Sequence, residues 1–495
     1  MKILECDIVI VGSGAGGGTV AERLSPLCKQ GARILLLEAG PHYTCEFFTQ
    51  REVEMSQALY AHAGGYLSQD SAITLATAKM VGGSSGVYTG VTFRIPDAAL
   101  KVWNVPGLTP EELAPRFERL EKENNVARLS DDQVNRSNQL FKQGLEKLGW
   151  NCQDLRINLR DCKGTGFCNL GCAEGAKQGT LEVQIPKATE RGVTLVPNAQ
   201  ATRIYDDRSL DVTVSEAPPG SRPGPLAPGE YEVRAKQVIL SAGCPGTPAL
   251  LLGSDDFRSL PGLGRYVTLH PTTTTYGIHP EEVNGHRGFP KAYYTDQFSE
   301  SEGYYVETCF YFPMTTAKNL ECWGDAHRQI MRKYNHLMSC ILLIHDQAER
   351  RNRVVLKNGQ PVFDYKLSHD FTVSLAKAQR SVAKIFFAAG CENVHVSLSS
   401  RTLLNPKDLD SLERLISPQN YRRGRTTLST AHLMGGCRMG ADPRKSVTDN
   451  RGRVHGFDWL YVADSTLFPS CSRANPYLTI MALADRVAEG VVHDM

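Results

Sequence analysis

The hydrophobic positions near the start of the chain predict a strand, a helix and a second strand. Residues 7–11 read Asp-Ile-Val-Ile-Val, a short apolar run typical of a buried strand. After a glycine-rich loop, Val20, Ala21 and Leu24 fall at helical spacing, and residues 33–37 form a second apolar run. This order predicts a βαβ unit of a parallel sheet.

The loop inside this unit, Gly12-Ser13-Gly14-Ala15-Gly16-Gly17, has the spacing of a dinucleotide site. Gly12 permits the tight turn, Gly14 lets backbone amides approach a pyrophosphate, and Gly17 lets the helix pack closely on the strand. Glu38 ends the second strand, where an acidic side chain accepts hydrogen bonds from an adenosine ribose. These features predict a bound dinucleotide and leave NAD and FAD as alternatives.

Two later apolar runs extend the predicted sheet. Residues 237–243 form a strand that ends in small residues, and residues 459–463 form a strand that Asp464 terminates. Ligands of open parallel sheets collect at such carboxyl ends. A Pro- and Gly-rich stretch from 216 to 229 between two strand-like runs predicts a hairpin loop.

The chain of 495 residues is too long for one compact core. Residues 353–356 resemble a strand and residues 373–388 a helix, which indicates a separate α+β part. We therefore predict an α/β fold with a nucleotide-binding part from residues 1–270 and 426–495. A discontinuous arrangement follows, with the substrate-binding part formed by residues 271–425.

Composition narrows the partners and the compartment. The 55 Lys and Arg residues against 53 Asp and Glu give no field that would attract nucleic acid. No apolar run approaches the roughly 18 residues of a membrane span, and the N-terminus lacks a signal-peptide pattern. We expect a cytoplasmic protein whose 14 cysteines are mostly reduced.

Four further motifs, taken with the N-terminal loop, span essentially the whole chain. They are Gly82-Gly83-Ser84-Ser85 leading to Arg94-Ile95-Pro96, then Gly243-Cys244-Pro245-Gly246-Thr247-Pro248, then Ala431-His432-Leu433-Met434-Gly435-Gly436-Cys437-Arg438-Met439-Gly440, and finally Asp464-Ser465-Thr466-Leu467-Phe468-Pro469 followed by Asn475-Pro476. Their combination resembles the glucose-methanol-choline (GMC) family of FAD-dependent oxidoreductases. The resemblance implies a Rossmann-like FAD-binding domain and a discontinuous α+β substrate-binding domain.

The resemblance also implies a set of flavin-binding residues. Asp464 is expected near the ribityl chain, and the helix that begins after Asn475 is expected beside the isoalloxazine. The sequence predicts Asn475 as the N-cap of that helix, with Pro476 in its first turn. The complete expected set is Gly12, Gly14, Gly17, Glu38, Gly83, Ser84, Asp464, Asn475 and Pro476.

The chemistry implied by the resemblance is oxidation of a small-molecule alcohol, with hydride transfer to FAD and oxygen or another compound as electron acceptor. A neutral imidazole suits removal of the hydroxyl proton, and His432 is the candidate base. Asn475 would bind the same oxygen. The alternatives are a structural histidine and an asparagine that serves only as an N-cap.

Two sequence features bear on the cofactor and the acceptor. Val87 replaces the histidine that bonds covalently to FAD in some family members, which predicts noncovalent FAD, and Tyr88 replaces an asparagine found in many. The cysteines Cys162, Cys168 and Cys172 resemble those of dehydrogenase members associated with a three-iron cluster, which would pass electrons to a partner. The alternative is a packed loop of reduced thiols without any metal.

Three further points remain open from the sequence. The aromatic stretch from 304 to 313 lines a substrate pocket or belongs to the ordinary core. The first rival function is an FAD-containing lyase or another non-redox enzyme on the same fold. The second rival is a noncatalytic flavin-binding subunit.

Overall fold

A computed structural model of the protein describes residues 2–495. The strands are, in chain order, β1 (Lys2–Val11), β2 (Ile34–Leu37), β3 (Tyr66–Leu67), β4 (Ile73–Leu75), β5 (Val126–Arg128), β6 (Gln153–Asp154), β7 (Arg156–Asn158), β8 (Thr194–Val196), β9 (Ala199–Ile204), β10 (Ser209–Val214), β11 (Gly229–Leu240), β12 (Thr268–Leu269), β13 (Thr274–Ile278), β14 (Tyr293–Thr295), β15 (Tyr304–Thr308), β16 (Leu337–Ile344), β17 (Arg353–Lys357), β18 (Gln360–Asp364), β19 (Asn393–His395), β20 (Leu428–Thr430), β21 (Leu433–Met434) and β22 (Leu460–Val462).

The helices pack around these strands. They are α1 (Ala15–Leu24), α2 (Glu52–Leu59), α3 (Asp97–Trp103), α4 (Pro110–Glu123), α5 (Arg136–Leu148), α6 (Gln184–Glu190), α7 (Gly243–Leu252), α8 (Ser299–Glu302), α9 (Pro313–Asn319), α10 (Gly324–Met331), α11 (His369–Ala389), α12 (Leu412–Leu415) and α13 (Tyr477–Asp494). Within residues 2–495, no helix has both the length and the apolar character that crossing a membrane requires.

The larger sheet has seven strands in the order β8-β2-β1-β11-β10-β9, with β22 paired to β11. Strands β8, β2, β1, β11 and β22 run parallel, and the β9–β10–β11 connections are antiparallel. The middle of β1 is inaccessible to solvent, with Ile8, Val9 and Ile10 all 0 % exposed. Because both faces of these strands are covered, their sequences are continuously apolar instead of alternating.

The register of this sheet brings four loops to one edge. Val11 pairs with both Leu37 and Leu240, and Leu240 pairs with Val462. The carboxyl ends of β1, β2, β11 and β22 are therefore level with one another. Since ligands of parallel sheets bind outside these ends, the loops that begin at residues 12, 38, 241 and 463 form the expected nucleotide site.

The second sheet is antiparallel, in the order β19-β13-β16-β15-β14-β6. Helices α5 and α11 pack against each other and against one face of this sheet. All eight residues of β16 are buried, because this strand lies at the centre of the sheet. The predicted strand at 353–356 and helix at 373–388 are present as β17 and α11.

The second sheet and its helices include elements from outside residues 271–425, the predicted substrate-binding part. Strand β6 pairs with β14, and α5 packs on α11, although both lie within residues 1–270. The sequence could not show this, because β6 is a two-residue strand whose partner is 139 positions away in the chain. Helix α5 buries Leu140, Phe141 and Leu145 against the second sheet and its helices.

Candidate functional site

The N-terminal loop is closed by contacts that only glycine permits. A Cβ atom on Gly12, which has a φ of +97°, would lie 2.3 Å from the carbonyl oxygen of Ser241. A Cβ atom on Gly17 would lie 1.8 Å from the oxygen of Gly12. Gly16, which the sequence did not single out, is equally constrained, since its Cβ would lie 1.7 Å from the oxygen of Ala463. These glycines pack α1 tightly on β11 and β22.

Gly14 differs from its neighbours because the space that a Cβ atom would occupy is open. The closest atom to a Cβ on Gly14 would be the Cα of Gly83, at 3.8 Å. Gly14 is also the N-cap of α1 and has no side chain to bond the first amides of that helix. Unpaired amides at a helix N-terminus and the positive end of its dipole form an anion site. The geometry at Gly14 therefore fits a pyrophosphate.

The second predicted flavin loop lies directly against the first. The Gly82 amide donates to the Ser13 hydroxyl at 3.0 Å. A Cβ on Gly83, which has a φ of +54°, would lie 2.8 Å from the Cα of Gly14. Ser84, the next residue, is exposed. The structure thus brings Gly14, Gly83 and Ser84 together around one accessible site.

Glu38 lies at this site and already has partners. Its Oε2 accepts the Ser13 amide at 3.0 Å and the Ser13 hydroxyl at 2.7 Å, and its Oε1 accepts the Gly40 amide at 2.8 Å. Burial raises the pKa of this carboxyl, and the bonds from Ser13 and Gly40 oppose that change. Glu38 therefore orders the glycine loop itself, and its expected bond to a ribose remains a prediction.

Asp464 holds a third loop in place. Its Oδ2 accepts the Gly243 amide at 2.9 Å and the Thr247 hydroxyl at 2.6 Å, while its Oδ1 accepts the Thr466 amide at 2.8 Å. The carboxylate is 5 % exposed, and burial raises its pKa. A Cβ on Gly243 would meet nothing within 4 Å, so the start of α7 is open in the same way as Gly14.

The expected cap of α13 is wrong in its details. Pro476 is the N-cap, Tyr477 begins the helix, and Asn475 makes no capping hydrogen bond. The sequence pattern places the cap one residue early, because asparagine is a favoured cap residue and proline favours the first turn. The backbone of Pro476 is in the α region, with φ −81° and ψ −11°, so the two positions differ little in geometry. The consequence concerns Asn475, whose Oδ1 is buried and has no partner among residues 2–495. A buried polar atom left in this state points to a missing ligand.

His432 lies in a short loop between β20 and β21, and a second histidine contacts it. Strand β21 pairs with β12 so that Leu433 faces Leu269, which places His270 opposite His432. The two Nδ1 atoms are 2.9 Å apart, and the other ring nitrogen of His270 lies 2.8 Å from the Sγ of Cys471. Neither His270 nor Cys471 was predicted from the sequence, because the pairing of two-residue strands gives no periodic signal.

The electrostatic surroundings keep His432 neutral. Burial, followed by the positive charge of Lys291, lowers the pKa of His432 to about 3. Lys291 forms a buried ion pair with Glu307, with Nζ 2.7 Å from Oε2. A neutral imidazole has a free lone pair at physiological pH, which is the state that a proton acceptor needs.

The segment from 471 to 475 is fixed against the strands that hold His432. Cys471 bonds to His270 as described, and the Ser472 hydroxyl donates to the sulfur of Met434 at 3.4 Å. The Ser472 hydroxyl also reaches the carbonyl of Ala474 at 2.6 Å. These bonds connect the loop that carries Asn475 to the loop that carries His432.

Val87 and Tyr88 lie in a loop that a buried lysine fixes. Lys177 is 1 % exposed, and its Nζ donates to the carbonyls of Gly86 at 2.7 Å, Tyr88 at 3.1 Å and Cys168 at 2.9 Å. The Tyr88 hydroxyl accepts a hydrogen bond from the amide of Asn158. Lys177 has therefore no free donor, and its role in the structure is to hold the Val87 loop.

The three cysteines at 162, 168 and 172 line one small pocket together with Lys177. Burial raises the pKa of Cys168 to about 12. Within residues 2–495, no group of three or more His, Cys, Asp or Glu side chains is arranged to hold a metal ion. All 14 cysteines are free thiols. The iron–sulfur alternative remains a prediction that iron analysis tests.

The aromatic stretch from 304 to 313 divides between the two faces of the second sheet. Tyr304 is 1 % exposed and belongs to the main core with α5 and α11. Tyr305 and Tyr311 pack in a separate cluster with Ile341 and Leu343 on the opposite face. The ring of Tyr305 lies 5.5 Å from the ring of His345. Tyr304 therefore belongs to the ordinary core, and a substrate pocket lined by Tyr305 and Tyr311 stays a prediction.

Comparison with known proteins agrees with this arrangement. Two family models described as GMC oxidoreductase match the chain, an N-terminal model over residues 56–272 and a C-terminal model over residues 348–484. A GMC-type oxidoreductase of Sinorhizobium fredii is 29% identical over 500 residues, covering 99% of this chain and 95% of the relative. A long-chain-alcohol oxidase of Arabidopsis thaliana is 26% identical over 517 residues, covering 99% and 69%.

Solved structures show the same fold. Pyridoxine 4-oxidase from Mesorbium loti has a TM-score of 0.73 at 19% identity, covering 99% of each chain. Formate oxidase of Aspergillus oryzae has a TM-score of 0.73 at 15% identity, covering 99% of this chain and 98% of the other. The chain therefore belongs to the GMC oxidoreductase family of FAD-dependent enzymes that act on CH–OH donors.

Proposed function

We propose that the protein oxidises an alcohol to an aldehyde or ketone, with His432 as the base and Asn475 as a ligand of the reacting oxygen. The observation that carries this proposal is the pairing of a neutral imidazole with a buried, unpartnered amide oxygen on two connected loops. FAD, when bound, supplies the acceptor of the hydride at its N5 atom.

His432 is suited to remove the hydroxyl proton. Its Nδ1 is occupied by His270, and its Nε2 has no hydrogen-bond partner among residues 2–495. The lowered pKa keeps the ring neutral before the substrate binds, so one of its two nitrogens has a lone pair. When the ring proton is on Nδ1, that lone pair is on Nε2 and can accept the proton of the alcohol. Loss of that proton makes departure of hydride from the neighbouring carbon favourable.

Asn475 is suited to orient the alcohol oxygen. The Oδ1 of Asn475 has no hydrogen-bond partner among residues 2–495, so the protein does not fix this amide through its oxygen. The Nδ2 of the same amide can donate to the alcohol oxygen, while the hydroxyl proton points to His432. Because the capping position belongs to Pro476, the amide is free for this task. The α13 N-terminus beside it would stabilise negative charge on a reduced flavin.

The residues around Gly14 fit the FAD that the family uses. The open side of Gly14, the adjacent Gly83 and the exposed Ser84 would hold the pyrophosphate, and the α1 amides would bond it. We propose that Glu38 binds the adenosine ribose and that Asp464 lies near the ribityl chain. Val87 has no group that could attach to flavin, so the FAD is proposed to be noncovalent.

The second sheet is proposed to form the roof of the alcohol pocket. On the face away from α5 and α11, Tyr305, Tyr311, Ile341 and Leu343 form an apolar cluster. Glu307 pairs with Ile341 across two strands and therefore points to the same face. Relatives include a long-chain-alcohol oxidase and a paromamine 6'-oxidase, whose names indicate chemically different substrates.

The experiment that tests this proposal is anaerobic flavin reduction. The purified protein is mixed with a panel of primary and secondary alcohols, and the flavin absorbance is followed without oxygen. We expect at least one alcohol to reduce the flavin. If none does while dithionite still reduces it, the proposed function is lost and a non-redox enzyme on this fold is favoured.

Variants then test the two proposed residues. His432→Ala is expected to keep its flavin and to reduce the rate constant of flavin reduction by roughly 10²- to 10⁴-fold, the range for a lost general base. His493→Ala, at an exposed position near the C-terminus, is the matched control. Flavin reduction at the wild-type rate in His432→Ala would remove this residue from the mechanism and favour a different base.

Reoxidation by air after reduction distinguishes an oxidase from a dehydrogenase. Rapid return of the flavin band would indicate oxygen as acceptor, whereas a stable reduced flavin would indicate another acceptor. Iron analysis of the same sample tests the cysteine alternative, because a three-iron cluster would require iron in stoichiometric amount.

A further inference from the structure

Two hydrogen bonds connect the Nδ1 of His432 to buried groups in the core. Cys471, His270 and His432 form this hydrogen-bonded chain, with separations of 2.8 Å and 2.9 Å. His270 is 2 % exposed and Cys471 is 5 % exposed. A histidine ring bonded at both nitrogens by buried partners has its orientation fixed.

The two hydrogen bonds that link Cys471, His270 and His432 can be donated in only two directions. In one direction, Cys471 donates to His270 and His270 donates to the Nδ1 of His432. A neutral His432 then carries its proton on Nε2 and has no lone pair for a substrate. In the other direction, His432 donates from Nδ1 to His270, and His270 donates from Nε2 to Cys471. This second direction leaves the Nε2 lone pair of His432 free.

We propose that His270 is a positioning residue that holds His432 in the Nδ1–H tautomer, with Cys471 as the acceptor that sets the tautomer of His270. This inference rests on the proposed role of His432 as the base. The sulfur of Cys471 also accepts the amide of Arg473 at 3.3 Å, which shows that its lone pairs are directed towards nearby donors.

The arrangement balances the proton in the reaction. The hydroxyl proton of the alcohol moves to Nε2 of His432, while the C–H bonding pair leaves as hydride to FAD and the carbinol becomes a carbonyl. His432 then carries protons on both nitrogens, and its Nδ1–H already points at the free lone pair of His270. No proton has to move along the chain for the imidazolium to be stabilised.

His270 is placed to orient and not to accept the proton itself. Burial, the neighbouring His432 and then His345 lower its pKa well below the usual range. A second charged ring beside a protonated His432 would add repulsion in a buried site. The proton taken from the alcohol therefore stays on His432 until it leaves through the accessible Nε2 side.

Other charged and titratable groups face this chain from several elements. In addition to burial, Lys291 lowers the pKa of His432, His345 lowers the pKa of His270, and the charge of Arg473 lowers the pKa of His345. The remaining groups near the sulfur of Cys471 are Asp346 and Tyr365. Lys291 and Arg473 both disfavour positive charge on the histidines, so the hydrogen bond from His432 to His270 is the contact that offsets them.

The first test reads the tautomer directly, without activity. In protein labelled with ¹⁵N-histidine, the ring nitrogens report which one carries the proton. We expect a protonated Nδ1 and an unprotonated Nε2 for His432, assigned by comparison with His432→Gln. A protonated Nε2 in the wild-type protein would overturn the proposal.

The second test compares two substitutions of the positioning residue. Asparagine places an amide oxygen close to the position of Nδ1, whereas leucine fills the space without an acceptor. We expect His270→Leu to lower the rate constant of flavin reduction by about tenfold to a hundredfold, the effect of one lost orienting hydrogen bond. We expect His270→Asn to recover most of it, with unchanged flavin content and alcohol affinity in both.

Comparisons among the variants distinguish a failure of the positioning role from a failure of the proposed function. Equal rates in His270→Leu and the wild type overturn the positioning role, even when His432→Ala is inactive. Full activity in His432→Ala instead removes the proposed function on which the inference rests. If His270→Leu fails to fold, Cys471→Ala and Cys471→Ser replace it. Serine, which retains an acceptor, is expected to be faster than alanine, and equal rates would contradict the proposal.

Discussion

The substitution Gly14→Ala is expected to leave the fold intact and to weaken the binding of FAD. The added methyl group would have no neighbour closer than 3.8 Å, which is an ordinary carbon contact. The backbone at Gly14 has a φ of −64° in the extended region, which alanine adopts without strain. Alanine has fewer unfolded conformations than glycine, which favours the folded state by about 0.4–1 kcal/mol, but it is a poorer N-cap residue, which opposes this gain. The free energy of unfolding of the apoprotein should therefore change by less than about 1 kcal/mol.

The substitution is expected to weaken the binding of FAD. The methyl group would occupy the open side of the loop, where the pyrophosphate needs to approach the α1 amides. A hydrogen bond to a charged group contributes about 1.5–3 kcal/mol. Displacing one such bond therefore weakens FAD binding by roughly tenfold to a hundredfold, since about 1.4 kcal/mol corresponds to a factor of ten.

The control is Gly17→Ala, because its Cβ would lie 1.8 Å from the oxygen of Gly12. That overlap forces the backbone to move, and overpacking of this kind typically costs about 1–3 kcal/mol or more. Thermal unfolding of both apoproteins measures their stability, and titration with FAD measures their affinity for the cofactor. Wild-type FAD affinity in a stable Gly14→Ala variant would refute the assignment of this loop to the pyrophosphate.

Three further predictions follow from buried groups and from the cofactor loop. Lys177→Met should lower the free energy of unfolding by about 2–5 kcal/mol in a denaturant titration, because three buried carbonyls lose their donor; a change below 0.5 kcal/mol would contradict the structural role. Burial raises the pKa of Glu321 to about 8 from an ordinary 4.5, so the wild-type protein loses stability as pH rises from 5 to 8. Over this range the free energy of unfolding of Glu321→Gln should rise relative to the wild type by less than about 5 kcal/mol, because solvent screening at this half-buried site reduces the full effect. A difference between the two proteins that is constant with pH would refute the raised pKa of Glu321. Acid precipitation should release all flavin from the wild-type protein, because Val87 has no attachment atom, and flavin retained in the pellet would show covalent attachment.

The sequence predicted the nucleotide-binding side of the molecule in some detail. The glycine spacing, the apolar strands and Glu38 all depend on short-range patterns, and β1, α1 and β2 form as expected. Strand β1 begins at Lys2, earlier than residue 7, because the long β11 offers pairing partners as far as Tyr231. The apolar pattern missed this extension, since the first residues of β1 are solvent-exposed.

The features that the sequence did not predict depend on long-range packing. His270 and His432 are 162 positions apart, and only the β12–β21 pair brings them together. Strand β6 joins the second sheet through a partner far along the chain. The free amide of Asn475 is a consequence of where α13 begins, and helix boundaries are set by packing as well as by capping residues.

The most direct test of the account is the reduction of bound flavin by an alcohol deuterated at the reacting carbon. For a substrate found in the panel, the rate constant is measured anaerobically in the wild-type protein and in His432→Gln. We expect slower reduction with the deuterated alcohol in the wild type, and at least a hundredfold loss in His432→Gln with the flavin content unchanged. Equal rates for the two proteins, each with full flavin, would contradict the assignment of His432 as the base in alcohol oxidation.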